Sequence, residues 1–330
     1  MELFYLFIFL LSATLTYFVR LIALKINFLD IPNHRSSHKT PTPSGGGIAI
    51  VTCFYVAIFY LFDSHLMSEI NFLAILSLLV IVIIGFIDDR RHIPAKYRLI
   101  IHFIVASYIT YIIGGLFDSN SLSTPLAYLG IISSVLFSVW MLNLYNFMDG
   151  IDALASIEAI TVSAGAMILL YFVSDYQSIY ILSCLSVSVL GFLLWNWPPA
   201  KIFMGDVASG FIGLLFALMS MITTQNNSLH FSIWLILLAY FISDSTYTLW
   251  IRFIKGEKIF ESHNSHVYQI LSRKYGHKPV SLSIALLNLF FLLPLAYAAQ
   301  VSEAFRYVIL LTAYIPILFF IQNIRKQNFG

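Results

Sequence analysis

Apolar runs alternate with short polar connections along the whole chain. Runs able to cross about 30 Å of hydrocarbon as helices fall at 3–24, 46–62, 70–87, 99–115, 125–143, 154–173, 178–195, 208–224, 231–254, 282–299 and 305–322. Backbone polar groups in lipid must be satisfied within a segment, so each run is expected to be a helix. The pattern predicts an all-α, polytopic membrane protein with about eleven transmembrane helices. No soluble domain, low-complexity linker or clear internal repeat interrupts it, and 1–330 reads as one transmembrane domain. Taken by parity, the connections sort their chemistry onto one side. DIPNHRSSHKTPTPSGGG (30–47), IDDRRHIPAKYR (87–98), NLYNFMDGID (143–152), NWPPAKIFMGDVASG (196–210) and KGEKIFESHNSHVYQILSRKYGHKP (255–279) all share a face. The opposite connections are short turns.

Composition agrees with the pattern. With 59% hydrophobic residues, 10% charged residues and a mean hydropathy of +0.86, a soluble protein of 330 residues is excluded. Of the 18 lysines and arginines only Arg306 falls in an opposite-face connection. The positive-inside rule therefore makes the motif face cytoplasmic, with the N-terminus outside and the C-terminus inside. The first run has neither a basic leader nor a small-residue cleavage site before Arg20, and is expected to be a retained helix. A net charge of +2 without a basic run interleaved with aromatics gives no reason to expect nucleic acid. Cys53 and Cys184 lie inside apolar runs, so neither a disulfide framework nor a thiolate metal site is expected.

The shared face carries several clusters of chemistry. Asp88 and Asp89 end the third run beside Arg90 and Arg91; they read either as a solvated helix end or as a carboxylate pair that needs a neutralising cation. NFMDGID places Asn143, Asn146, Asp149 and Asp152 around Gly150, a set suited to a hard cation or polar ligand but also to a cap and turn. Should Asn143 and Asn146 continue the helix, their spacing puts both amides on one face. Asp206 opens the eighth run, where it is either a cap or an oxygen ligand for Mg²⁺, which takes one or two carboxylates plus phosphate and water. His263 and His266 have H-x-x-H spacing without a zinc-like partner set. They precede a stretch, about 265–274, that reads as an amphipathic helix turning Val267, Ile270 and Leu271 to the bilayer. His34, Arg35, His38 and Lys39 precede Gly45, Gly46 and Gly47, whose amides are expected to be approachable by an anion. Within the runs, Asp244 is the deepest ionisable group, and such groups are functional until shown otherwise. Glu158 and His102 lie nearer helix ends, where snorkelling or pairing would account for them.

In this order, DD, NFMDGID, PAKIFMGD and SHNSH resemble the polyprenyl-phosphate N-acetylhexosamine-1-phosphate transferases, from about Asp30 to Pro279. The family includes the phospho-MurNAc-pentapeptide translocase, and HRSSHKTPTPSGGG is most similar to its O-antigen-initiating branch. The resemblance implies a multi-pass enzyme of the bacterial inner membrane. It would move sugar-1-phosphate from a UDP-sugar to undecaprenyl phosphate with Mg²⁺, or Mn²⁺ in its place, releasing UMP. It also implies metal ligation by Asp206 and Asn146, a uracil-side role for Asp152, and catalytic or lipid-phosphate roles for Asp88, Asp89 and Asp149. Arg98 would lie near the pyrophosphate, and His263, His266, Gly45 and Gly46 would contact phosphate. A homodimer among membrane lipids is part of the same expectation.

Four positions depart from the resemblance. Ser44 and Asn264 stand where arginine is usual, and Ala153 and Ala208 where glycine is. N-Acetylfucosamine, N-acetylquinovosamine and N-acetylglucosamine donors would all satisfy the motifs. The rival readings are a transporter or flippase, which would place its polar groups near the midplane, and a family member impaired in catalysis.

Overall fold

In the computed structural model the chain is described at residues 1–32, 37–38, 40–91, 93–117, 124–257 and 263–329. His34, Arg35 and Lys39 of the 30–47 loop therefore lie outside the described residues. Every apolar run is helical. In order come α1 (Glu2–Lys25), α2 (Gly47–Asp63), α3 (Glu69–Ser77), α4 (Leu79–Arg90), α5 (Ala95–Ile113), α6 (Thr124–Met148), α7 (Leu154–Phe172), α8 (Tyr176–Asn196) and α9 (Asp206–Gln225). There follow α10 (Phe231–Leu237), α11 (Ala239–Ile254), α12 (Val267–Tyr275), α13 (His277–Leu287), α14 (Leu293–Val301) and α15 (Arg306–Phe329), with a π-helical turn at Asn288–Leu292. A two-stranded ribbon pairs β1 (Leu29–Asp30) antiparallel to β2 (Thr42–Pro43).

Among the described residues nine helices are long and apolar enough to cross a membrane. The α10–α11 pair supplies a tenth if counted as one, and α2 is a shorter apolar helix. The protein is thus all-α and polytopic. The run at 231–254, expected to be continuous, instead breaks at Leu238 with a bend of 77°. No glycine or proline marks that break; its partners are tertiary, since α11 turns to pack on α12 and α15.

The bundle is organised around α9. Every residue from Val207 to Thr223 is buried, because α2, α4, α5, α6 and α10 all pack on it. Small residues let these helices meet in the absence of a hydrophobic driving force between them. At Gly213 of α9 an added Cβ would lie 2.7 Å from the Tyr145 Cβ of α6, and at Gly85 of α4 it would lie 2.6 Å from the Asp206 carbonyl. The acid-bearing ends of α4, α6 and α9 are brought together by these two approaches. By contrast, α1 and α15 keep most of their apolar surface outward, as with Leu3, Phe7, Leu311 and Phe319, the side chains a lipid-facing helix needs.

The glycine run serves the same centre. Gly46 N–H donates to Phe203 O at 2.9 Å, Gly47 N–H to Met204 O at 2.9 Å, and Phe203 N–H to Pro43 O at 2.8 Å. The 42–47 segment is thereby stitched to the strand-like approach to Asp206.

Gly213→Val is expected to lower stability by about 1–3 kcal/mol through overpacking against α6, read as a fall in the thermal unfolding midpoint of the detergent-solubilised protein. An unchanged midpoint would mean the α6–α9 approach is not as close as described.

Candidate active site

Three loops far apart in sequence meet at the first turn of α9. Asn146, in the last turn of α6, donates from Nδ2 to Asp206 Oδ1 at 2.7 Å and to Ser209 Oγ at 2.9 Å. Arg98, in the first turn of α5, donates from Nη1 to Asp206 Oδ2 at 3.1 Å and also pairs with Asp88. Asp88 in turn accepts the Ile93 N–H at 2.6 Å, which fixes the α4–α5 turn. Gly205, the N-cap of α9, has no side chain to offer, so the cap comes from elsewhere. Asp89 accepts the Asp206 N–H at 3.0 Å and the Val207 N–H at 3.4 Å. An α4 carboxylate thus satisfies donors that a helix start leaves open.

Asp89, Asn146, Gly205 and Asp206 border a cavity of about 450 Å³. Its wall carries Asp30, Asp89, Asp149, Asp152 and Asp206, and among the described residues no lysine or arginine. Burial, followed by the charges of Asp206, Asp89 and Asp152, raises the Asp149 carboxyl well above the ordinary carboxylate range. Asp152 is better partnered: Ala200 N–H donates to its Oδ2 at 3.0 Å, and His277 Nδ1 lies 3.1 Å from its Oδ1. Phe28 and Phe203 supply apolar wall to the same cavity, and His38 sets its ring edge-on to Phe203 at 4.9 Å. A second, smaller cavity of about 60 Å³ opens between α4, α5 and α6. Ile81, Ile84, Leu99 and Leu142 line it with Arg98, His102 and Asn143. Asn146 and Asp206 border both cavities.

Among the described residues no group of three or more His, Cys, Asp or Glu side chains is placed to hold a metal ion. A divalent ion of the Mg²⁺ type asks less of the protein. The donors fit it: one amide and several carboxylates on a shared cavity.

Several expectations meet this geometry and several do not. Asp89, Asn146, Asp149, Asp152 and Asp206 converge on one cavity. Asp88 borders neither cavity, and Arg98 sits at the smaller one with its guanidinium on Asp88 and Asp206. Gly45 and Gly46 are buried, and the Gly46 amide expected for an anion is spent on Phe203. His266 is 2% exposed and faces Asp244 at 3.6 Å, away from the cavity. His263 stacks on it at 4.8 Å, and burial with the neighbouring His266, Arg252 and Arg325 charges pushes its imidazole down to about 3. Neither histidine lines the two cavities. The helix expected on the bilayer is α12, and it is inside: Val267, Tyr268 and Ile270 are buried against the bundle. Glu261 lies outside the described residues.

Ser44, one of the four departures, and His277, of the 255–279 loop, are also in the wall, together with Asp30, Asn196 and Gln269, which carried no distinguishing signal. Asn196 accepts the Ala153 N–H at 2.9 Å, holding Ala153 at a left-handed φ of 64°. That conformation is one glycine adopts without a Cβ penalty, which gives the departure at 153 its physical content.

A probable undecaprenyl-phosphate N-acetylglucosaminyl 1-phosphate transferase of Bacillus subtilis is 30% identical over 292 residues, covering 84% of this chain and 79% of the relative. The family model described as Glycosyl transferase family 4 matches residues 71–224. The chain belongs to glycosyl transferase family 4. An undecaprenyl-phosphate alpha-N-acetylglucosaminyl 1-phosphate transferase of Escherichia coli K12 is 28% identical, with 81% and 75% covered. A phospho-N-acetylmuramoyl-pentapeptide-transferase of Streptococcus pneumoniae is 26% identical, with 72% and 76% covered. The glycosyl transferase family 4 match contains Asp88, Asp89, Arg98, Asn146, Asp149, Asp152 and Asp206, and ends before the loop that carries His263 and His266.

Gly205 has φ 77°, and a Cβ there would lie 2.6 Å from Asp89 Oδ2. Gly205→Ala is therefore expected to cost about 1–3 kcal/mol in backbone strain and to speed hydrogen exchange at the Asp206 and Val207 amides. Wild-type exchange at both amides would refute the Asp89 cap.

Proposed function

We propose that the protein transfers a HexNAc-1-phosphate, or its deoxy counterpart, from a UDP-sugar to undecaprenyl phosphate at the cytoplasmic membrane face, releasing UMP and initiating a lipid-linked glycan such as O-antigen. One observation carries this reading. Asp206 and Asn146 are shared between the acid-lined cavity of about 450 Å³ and the smaller one, where Ile81, Ile84, Leu99 and Leu142 sit beside Arg98, His102 and Asn143. Two substrates of opposite solubility would then meet at the same pair of residues. The relatives' names favour N-acetylglucosamine among the candidate sugars.

The chemistry follows from charge. A lipid phosphate oxygen attacks the sugar-bearing phosphorus in line, a new P–O bond forms, and the bond to UMP breaks with its electron pair leaving on UMP. Both reactants are anions, and the larger cavity already holds five aspartates. Entry of a pyrophosphate into such a wall is unfavourable without compensating positive charge. Asp206 and Asn146 would hold a Mg²⁺ ion there, with Asp149 beside them; the ion supplies that charge. Arg98 contributes the protein's own cation at the mouth of the smaller cavity, where the acceptor phosphate would arrive. Asp152, paired with His277 in the wall of the same cavity, is assigned to the uracil side. A lipid phosphate with a second pKa near about 6 is mostly dianionic at neutral pH, so no strong base is required. Asp88 and Asp89 accordingly organise Arg98 and the α9 terminus.

The buried acids count against a transporter. Asp244 receives two backbone N–H groups and Glu158 the Asn288 amide at 2.7 Å, so each is engaged in holding helices together.

In purified, detergent-solubilised protein, UMP release from UDP-N-acetylglucosamine and undecaprenyl phosphate should require a divalent ion and stop with chelator. Asp206→Ala should lower kcat by about 10²–10³, the scale of removing one preorganised charge-stabilising group. Chelator-insensitive turnover would remove the metal from the proposal. For orientation, single cysteines at Ala200 and Asn227 should be labelled by an impermeant thiol reagent from opposite sides of sealed vesicles, with Ala200 on the cytoplasmic side. The reverse pattern would overturn the assigned topology.

A further inference from the structure

Asp244 looks out of place in an apolar run, yet both of its oxygens are used. It is fully buried on α11, where Oδ1 accepts the Val267 N–H at 2.9 Å and Oδ2 the Tyr268 N–H at 3.0 Å. Thr248 donates to Oδ1 at 3.2 Å, and Arg325 of α15 reaches both Thr248 Oγ1, at 3.1 Å, and the Ser265 carbonyl. A nine-residue helix is too short to stand alone. Its open donors, buried here, need an acceptor. Asp244 lies on the segment that follows the 77° bend at Leu238.

From this anchor α12 reaches the active site. The Tyr268 hydroxyl donates to the Phe147 carbonyl at 2.8 Å and sits so close to Gly150 that a side chain there would collide with it. Gln269, the next residue, borders the larger cavity, and its Oε1 accepts the His266 N–H at 3.2 Å. Between these contacts runs the turn that carries Asp149.

We propose that Asp244 is a positioning residue: by holding the first two amides of α12 it sets where Tyr268 grips the 147–150 turn, and so places Asp149 and Gly150 in the cavity wall. The role rests on the transfer reaction proposed above, but the geometry it controls does not. A misplacement of about 1 Å at a reacting site can cost about 10²-fold in rate, which is the leverage available to a buried anchor outside the cavity.

The test uses the full chain in detergent, with Tyr268→Phe, Asp244→Asn and Asp244→Ala read by kinetics with UDP-N-acetylglucosamine and undecaprenyl phosphate and by hydrogen exchange. Tyr268→Phe should lower kcat about tenfold with the nucleotide-sugar KM within about twofold, a split expected of a misplaced catalytic turn. Asp244→Asn, which keeps one acceptor oxygen, should fall between wild type and Asp244→Ala. Exchange should rise at Val267 and Tyr268 in the Asp244 variants, and at 147–152 in all three. Wild-type kcat together with unchanged exchange at 147–152 in Tyr268→Phe and Asp244→Asn would overturn the proposal. Should Asp244→Ala fail to fold, those two variants still decide it. If wild-type protein releases no UMP from any donor, the transfer reading falls, and exchange at 147–152 alone judges the anchor.

Discussion

Like charges gathered at the edge of an apolar bundle are the constraint on which this molecule turns. Carboxylates from α4, the α6–α7 turn and α9 point into one space, and each would leave for water if the backbone allowed it. Three devices keep them there. Asp89 is tied down by the first amides of α9, Asp206 is held between Asn146 and Arg98, and Asp152 is held by Ala200 and His277. Burial, and after it the charges of Asp206, Asp89 and Asp152, raises the Asp149 carboxyl well above the ordinary carboxylate range. A cluster so arranged has a standing affinity for positive charge, which is the property a phosphate-transfer site needs before either anionic substrate arrives.

The helices were legible because lipid leaves the backbone few choices. Apolar run length alone locates the spans, and the order of acidic loops along them marks one face. The convergence of Asp206 with Asn146 was an expectation of the motif order, and the 2.7 Å bond between their side chains meets it. The break at Leu238 had no such mark. WLILLAYFIS contains nothing that interrupts a helix locally, and the bend depends on partners more than twenty residues away in sequence.

Residues near the site were harder to sort than the site itself. Histidines beside a phosphate chemistry invite a phosphate role, yet His266 is buried against Asp244 and the half-buried His263 stacks on it, where burial and neighbouring cations push its imidazole down to about 3. His277, fourteen residues after His263 and without a motif around it, is the one that reaches Asp152. The glycines at 45–47 were informative about backbone approach but silent about what approaches. Here it is the chain's own 203–204 segment. Composition and spacing report that a group is available, whereas its orientation depends on contacts that only the folded chain supplies.

Buried acids show the same principle from the other side. In hydrocarbon an aspartate is costly, and a transport or proton pathway is the usual inference. That inference weighs the charge alone and leaves out the orphan amides at helix starts, which are costly too. Where a short helix must begin inside the bundle, as α12 does, two such costs offset one another: the carboxylate gains donors and the donors gain an acceptor. Asp89 at α9 and Asp244 at α12 are the same solution used twice, each carboxylate borrowed from a neighbouring helix. One lies in the cavity wall and the other outside it, so what separates a site acid from an anchoring acid in this fold is the space in front of the helix it caps.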